Sequence, residues 1–476
     1  MDTSGASDLI APVVYDALGR NPYGLMPFAH SSQNGQFDAA VFTHQYQALS
    51  AKYATDGETK FYSEAVFGTG ALDVGSAIES YAPGNSWVGS KTNPDPSARR
   101  SVQTSTYFNT SADSVYVIQT VNGSPGSLGA AKLGIGLIGA SSFYEQGQLT
   151  KIVSSNEDHK QVVQYIDDKG KMLLQKTQLT ASPDNSLGSG YEGWICTYYV
   201  YDDLDRLKVV IQPEGIKTLL QNGWNFTSTV LNEQCFRYEY DKYGHVIMKK
   251  FPGSGTDYMV YDKAGKLVMT QDARNRPQNI WNYIQYDTYN RTTATGTIVN
   301  SNSVTSIWAQ AQSSNTFPVL DYTAHELSAS YYDNYNWVGN NGAPFIPADV
   351  AYSTSHESYF VTGSAGSFPF PETNAMTSNT KGMVTGGKMA ILNSPQYLYS
   401  LSLYNDKGRN IQTKSFNHTG AATPDVVTAQ YSWSGQVLTA VNTVNKAGGN
   451  ALQTVTATSY SYDMLGRLLT TGKKLR

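Results

Sequence analysis

The most constraining feature of this chain is a short phrase that recurs along it. Between Arg237 and Val268 it occurs twice, as Tyr240-Asp241-Lys-Tyr-Gly244-His245 and Tyr261-Asp262-Lys-Ala-Gly265-Lys266, with the tyrosines 21 residues apart. The residues before each Tyr-Asp pair, FRYEY and DYMVY, are aromatic or β-branched and favour a pleated strand. An aspartate at the start of a turn bonds a backbone N–H two residues on. A glycine three residues later supplies the left-handed conformation of a type I turn closed by a bulge. Each copy therefore predicts strand, tight turn, strand.

The phrase returns with variations. Tyr15, Asp16, Gly19 and Arg20 form the first copy. Tyr165 and Gly170 belong to a copy with one extra residue, which assigns the turn position to Asp168. Tyr201, Asp202 and Arg206 form a copy with Asp205 in place of glycine; Tyr286, Asp287 and Arg291 form one with Asn290 there. Tyr404, Gly408 and Arg409 follow, then a degenerate copy from Tyr431 to Gly435, and finally Tyr462, Asp463, Gly466 and Arg467. The spacing leaves room for two strands and two turns per unit.

Composition agrees with an all-β, turn-rich chain. Charged residues are only 15%, whereas 34 tyrosines and 42 glycines are present. A net charge of −4 leaves no basic footprint for nucleic acid. The most apolar run, 128–140, is about half the length a bilayer span needs and contains Lys132. Two cysteines, Cys196 and Cys235, exclude a disulfide framework, although they are free to pair with each other. Four segments are expected: an N-terminal β region with one copy (1–140), a first repeat block (141–299), a loop-rich insertion (300–395) and a second block (396–476). The second block is expected to continue past the chain's end. In the insertion, WAQAQ near Ile307 and PADVAYSTS read as helical. The amino end lacks the basic and apolar regions of an export signal.

The phrase Tyr-Asp-x-x-Gly-Arg-Leu resembles the YD repeat of the bacterial RHS family. Longer strings resemble it too: IAPVVYDALGRNPYGLMPFA, YVYDDLDRLKVVIQPEG, YMVYDKAGKLVMTQD, YYDNYNWVG with TKGMVTGGKMAIL, and YNDKGRNIQTKS. Residues 31–140 and 300–370 match least. The resemblance implies a ribbon of β-hairpins wound as a spiral sheet into a hollow, cocoon-like shell. It further implies a secreted or surface-displayed bacterial protein whose shell encloses or presents a C-terminal toxin. Its partners would be the rest of the polypeptide or another chain completing the sheet, the enclosed toxin, and on the alternative reading of an adhesin, surface glycans. The family's self-cleaving Asp-Pro-x-Gly motif is not matched, since Asp95-Pro96 lacks the glycine pattern.

No enzyme, cofactor or metal site is read from the residues. The repeat aspartates Asp16, Asp202, Asp241, Asp262, Asp287 and Asp463 are explained by turn stabilisation, because a calcium loop needs several oxygen ligands in one segment. The basic residues after glycine are expected to cover tyrosine faces or pair with acids. Histidines 30, 44, 159, 245, 325, 356 and 418 are scattered and form no His-Glu-x-x-His motif. No Gly-x-Ser-x-Gly elbow or Walker phosphate loop is present. Trp194, Tyr198, Tyr199, Tyr201, Trp224, Trp281, Tyr283 and Trp337 are candidates for stacking on sugars, weighed against packing between strands.

Overall fold

A computed structural model describes residues 8–30, 38–135, 141–181, 187–340, 342–363, 368–420, 422–449 and 451–475. The tail of the apolar run, 136–140, lies outside them. The chain divides into two compact units, Met1–Thr256 and Asp257–Arg476.

In the first unit a single antiparallel sheet runs in chain order from Val13–Val14 and Tyr23–Leu25 through Tyr62–Phe67, Ala77–Tyr81 and Val102–Phe108. It continues through Thr150–Ser155, Gln161–Ile166, Met172–Gln178, Trp194–Tyr201, Leu207–Ile211, Cys235–Tyr240 and Val246–Lys250. The second unit repeats the scheme from Thr256–Tyr261 to Leu468–Leu475. Within these ladders each strand pairs with the one before and the one after it in the order given, and most of those are neighbours in sequence. This is what hairpins joined by short turns must do, since antiparallel strands need no crossover.

Through the middle of each sheet one face is buried, whereas the final strand, Leu468–Leu475, is exposed on both. In Trp194–Tyr201 the buried residues are Trp194, Cys196, Tyr198 and Val200, alternating with partly exposed ones, the period of a half-covered strand. The cover comes from two long segments, each inserted where the ladder would otherwise have a repeat turn. Residues 109–149 lie between the paired ends Phe108 and Thr150, and residues 334–379 lie between the paired ends Asp333 and Thr380. The first contributes Val115 and Ala131 to a core with Val163, Tyr198 and Ile211. The second contributes Trp337, Val338 and Phe345 to a core with Leu401, Leu403 and Ile411. The stretch 300–395, read as loop-rich, also supplies two ladder strands, His325–Asp333 and Thr380–Ala390.

Helices complete the cover. Pro213–Gln221 starts with proline in its first turn and buries Ile216 and Leu219, which join the first core. Ser228–Glu233 is capped by Thr227, whose hydroxyl accepts from the Val230 N–H. Val304–Gln312, at the WAQAQ segment, places Ile307 and Ala311 beside Trp281 and Ile298. PADVAYSTS is not an α-helix: Pro347–Val350 is a 3₁₀ turn, and its last two residues open a second, Thr354–Tyr359. The sequence reading missed Val41–Lys52, Pro213–Gln221 and Ser228–Glu233, although the proline start and Ile216–Leu219 spacing of the second were available as signals. No helix among the described residues is long and apolar enough to cross a membrane.

The cover is fitted closely at Gly386. Trp337 stacks on Tyr331 with ring centroids 4.5 Å apart, and a Cβ on Gly386 would fall inside the indole and 2.6 Å from the Ser400 carbonyl oxygen. Gly386→Ala should therefore lower stability by about 2 kcal/mol, the usual scale of overpacking. Denaturant unfolding measures this, and a change below about 0.5 kcal/mol would mean that Trp337 is not held against the backbone.

Candidate functional site

The repeat turns are built alike. Asp16, Asp202, Asp241, Asp262, Asp287 and Asp463 each accept, through Oδ1, the backbone N–H groups two and four residues on, at 2.8–3.0 Å. The fourth turn residue takes positive φ: 75° at Gly19, 90° at Gly244, 77° at Gly265 and 78° at Gly466, with Asp205 at 62° and Asn290 at 64°. The ladder slips by one residue at the phrase's tyrosine, as at Tyr201, Tyr240 and Tyr286.

The copy at Tyr165 corrects the sequence reading. Asp167, not Asp168, holds the turn, accepting from Lys169 and Lys171, and Gly170 follows three residues later with φ 81°. Ile166 sits at the bulge where other copies carry tyrosine. One residue of displacement turns a strand side chain to the opposite face. Tyr165 is accordingly fully buried and donates to the Asp113 carboxylate at 2.8 Å.

The other tyrosines reach backward to the preceding hairpin. The phenol of Tyr201 donates to the Met172 carbonyl, Tyr240 to Leu207, Tyr286 to Leu267, Tyr404 to Val384, Tyr431 to Asn410 and Tyr462 to Val437. Each acceptor lies at the start of the earlier return strand or within its opening residues. Tyr332 does the same to Thr292, which marks Tyr332-Asp333 as a further copy, interrupted by the covering segment.

The basic residues reach forward. Nε of Arg20, Arg206, Arg291 and Arg467 donates to Oδ2 of its own aspartate at 2.6–2.9 Å. In Arg206 and Arg291 the rest of the guanidinium spans to the next turn, as does that of Arg409. Arg206 donates to the Asp241 carbonyl and covers Tyr240. Arg291 makes a two-pronged pair with Asp333 at 2.9 and 2.6 Å and covers Tyr332. Arg409 donates to the Ser432 and Trp433 carbonyls. Its own turn opens with Asn405, which has no charge to offer, and Glu372 from the covering segment supplies the carboxylate at 2.8 Å.

A second set of polar groups holds the cover and one of the connections between strands. Lys176, fully buried, donates to the Gly188 and Gly190 carbonyls and lies over the rings of Tyr165 and Tyr191. Arg237 donates to the Gly129 carbonyl and Asn232. Lys151 meets Asp113 at 2.5 Å, both buried; burial pulls the Asp113 carboxyl upward, but the Lys151, Thr110 and Tyr165 bonds outweigh it and leave it below the usual range. In the second unit Lys414 donates to the Asp349 and Ala351 carbonyls, and Gln412 and Gln430 each hold both backbone groups of one residue, Ser353 and Val361. His356 lies between the hydroxyls of Thr428 and Thr443.

A cleft of about 730 Å³ beside Trp194 and Ile216 is lined by Glu192, Glu214 and Lys217. Another, of about 660 Å³ beside Tyr397 and Phe416, is lined by Lys388 and His418 and by no carboxylate. Of the aromatics considered for sugar stacking, Trp194, Tyr198, Trp224, Trp281, Tyr283 and Trp337 are buried, which leaves only Tyr199 and Tyr201 partly exposed. Cys196 and Cys235 are free, buried thiols, and burial pushes them up to about 11 and about 12. One grouping was invisible in the sequence: His30, Asp38 and His44 present donor atoms within 4.8 Å of one another.

Two predictions follow from the turn geometry. At Asp262 the partner is Lys266, 3.8 Å away, and the buried Oδ2 has no hydrogen bond. Lys266→Arg restores the bond seen in four other copies and should stabilise the protein by about 1 kcal/mol; an unchanged or lower urea midpoint would contradict this. The second concerns pH. The Arg20 side chain holds the Asp16 carboxyl below its ordinary 3.8, and the Arg467 N–H and guanidinium do so for Asp463. At Asp202 and Asp287 burial acts upward, but the bonds from Arg206 and Arg291 prevail. Folded values below the unfolded one mean stabilisation that is complete above the ordinary carboxylate value and lost as pH falls through the folded values. Stability should fall below about pH 4, and less steeply in Asp202→Asn, which keeps the Oδ1 acceptor. Identical pH slopes for the two proteins would exclude this role for the carboxylate.

A family model described as a domain of unknown function, DUF6443, matches residues 1–101. No curated protein matches the chain. Among solved structures, the chain is similar to the crystal structure of TcdB2-TccC3 without its hypervariable C-terminal region, at 11% identity and a TM-score of 0.42. The match covers 98% of this chain and 18% of that one. It is also similar to the Photorhabdus luminescens Tc holotoxin pore, at 11% identity and a TM-score of 0.34, covering 98% of this chain and 23% of the other.

Proposed function

We propose that this chain is a non-enzymatic structural segment of a YD-repeat protein of the RHS type. Its sheet is a wall that encloses or presents a C-terminal toxin or effector, exported to the outside or surface of a bacterium for competition between cells. The observation that carries this reading is the relay between successive turns. In most copies the tyrosine bonds to the neighbouring hairpin and the aspartate to its own turn, and in several, as at Arg206 and Arg291, the basic residue also reaches the next turn. Side chains committed in this way build continuous sheet and leave nothing at the turns to act on a substrate. Six of the eight aromatics considered for sugar stacking are buried, which argues against the adhesin reading, in which they would line a sugar groove.

Limited proteolysis of the full-length natural product tests the proposal. The polypeptide encoded downstream of this chain should resist protease while the wall is folded and become sensitive once the wall is denatured. Cleavage of that polypeptide at the same rate in the intact protein and in isolation would refute enclosure. Selective retention on a glycan array without any such protection would instead favour the adhesin.

A further inference from the structure

We propose that His30, Asp38 and His44 form a binding site for a divalent transition-metal ion of the zinc type. His30 ends the strand Phe28–His30, which is fixed by antiparallel pairing with Asp8–Ile10. His44 lies in the first turn of the helix Val41–Lys52, where its N–H donates to the Ala40 carbonyl. Asp38 precedes that helix. Its Oδ1 accepts the Ala40 N–H at 2.9 Å, which directs Oδ2 to Nδ1 of His44 at 2.7 Å. The two imidazole rings lie 4.6 Å apart, and Phe28 packs edge-on against His30 at 6.2 Å, orienting its ring.

Three donor atoms within 4.8 Å of one another are near the spacing a metal requires. With bonds of about 2.0–2.1 Å, tetrahedral ligands stand about 3.3 Å apart. Binding would therefore draw His30 inward and open the Asp38–His44 contact by about half an ångström, the ion replacing the shared proton. Two imidazoles and one carboxylate suit zinc and its neighbours in the first transition row; calcium and magnesium prefer all-oxygen sites. All three residues are partly exposed, so water has access to complete the coordination. The ion would tie the end of a strand to the start of a helix, within the region where the family model matches.

The test uses the whole chain, with Zn²⁺ for affinity and Co²⁺ as a spectroscopic probe. Calorimetry should show one Zn²⁺ bound per chain and Mg²⁺ not bound, and Co²⁺ should develop the visible bands of a low-symmetry nitrogen and oxygen site. His44→Ala and His30→Gln should each weaken Zn²⁺ by at least about tenfold, since loss even of a supporting group costs that much, and abolish the Co²⁺ bands. Asp38→Asn, which keeps the Oδ1 acceptor, serves where a histidine variant fails to fold. Absence of Zn²⁺ binding, or binding that survives all three substitutions unchanged, would overturn the proposal.

Discussion

Everything in this molecule rests on the bond between a turn aspartate and the two backbone N–H groups it faces. A single hairpin is marginal in water, and its register is set by its turn. Oδ1 fixes the loop, and the positive φ four positions into the turn closes it with a bulge that aims the preceding tyrosine at the neighbouring hairpin. An arginine such as Arg206 then serves two turns at once, since Nε satisfies its own aspartate while the outer nitrogens reach the next. Each link is worth about 1 kcal/mol. Repetition along the ladder makes the sheet cooperative, because no hairpin gains these bonds without its neighbour.

Covering the sheet raises a different problem. Long connecting segments have few ladder partners for their own backbone, and burying unpaired carbonyls is costly. The protein solves this by placing long polar side chains on the covered face. Lys176, Lys414, Gln412 and Gln430 extend from the sheet and bond the loop backbone directly. An ammonium group as buried as that of Lys176 is tolerated because two carbonyls and two tyrosine faces surround it. These anchors specify where the cover, and at Lys176 the connection between strands, lies; apolar contact alone would leave it free to slide.

The turns were legible in the sequence because their chemistry is local. Asp241 and Gly244 act within five residues, so the pattern states its own structure. Tyr165 shows the limit of that reading. A one-residue offset placed Asp167 rather than Asp168 in the turn and turned the tyrosine inward, and the strand period of two made the difference complete. The helices Val41–Lys52 and Pro213–Gln221 were hidden by the dominance of the strand pattern around them, although the second carried its own start signal.

By itself the sequence determined the fold class, the hairpin unit and the role of aspartate and glycine, since these depend on backbone preferences over a few residues. Only the tertiary structure decided what the tyrosine and arginine are for. Their partners lie on the adjacent hairpin, as Leu207 lies 33 residues before Tyr240, and no local preference encodes that distance. The same holds for the covering segments at 109–149 and 334–379, and for the meeting of His30, Asp38 and His44. Contacts between residues far apart in the chain arise from packing, which a linear pattern does not record.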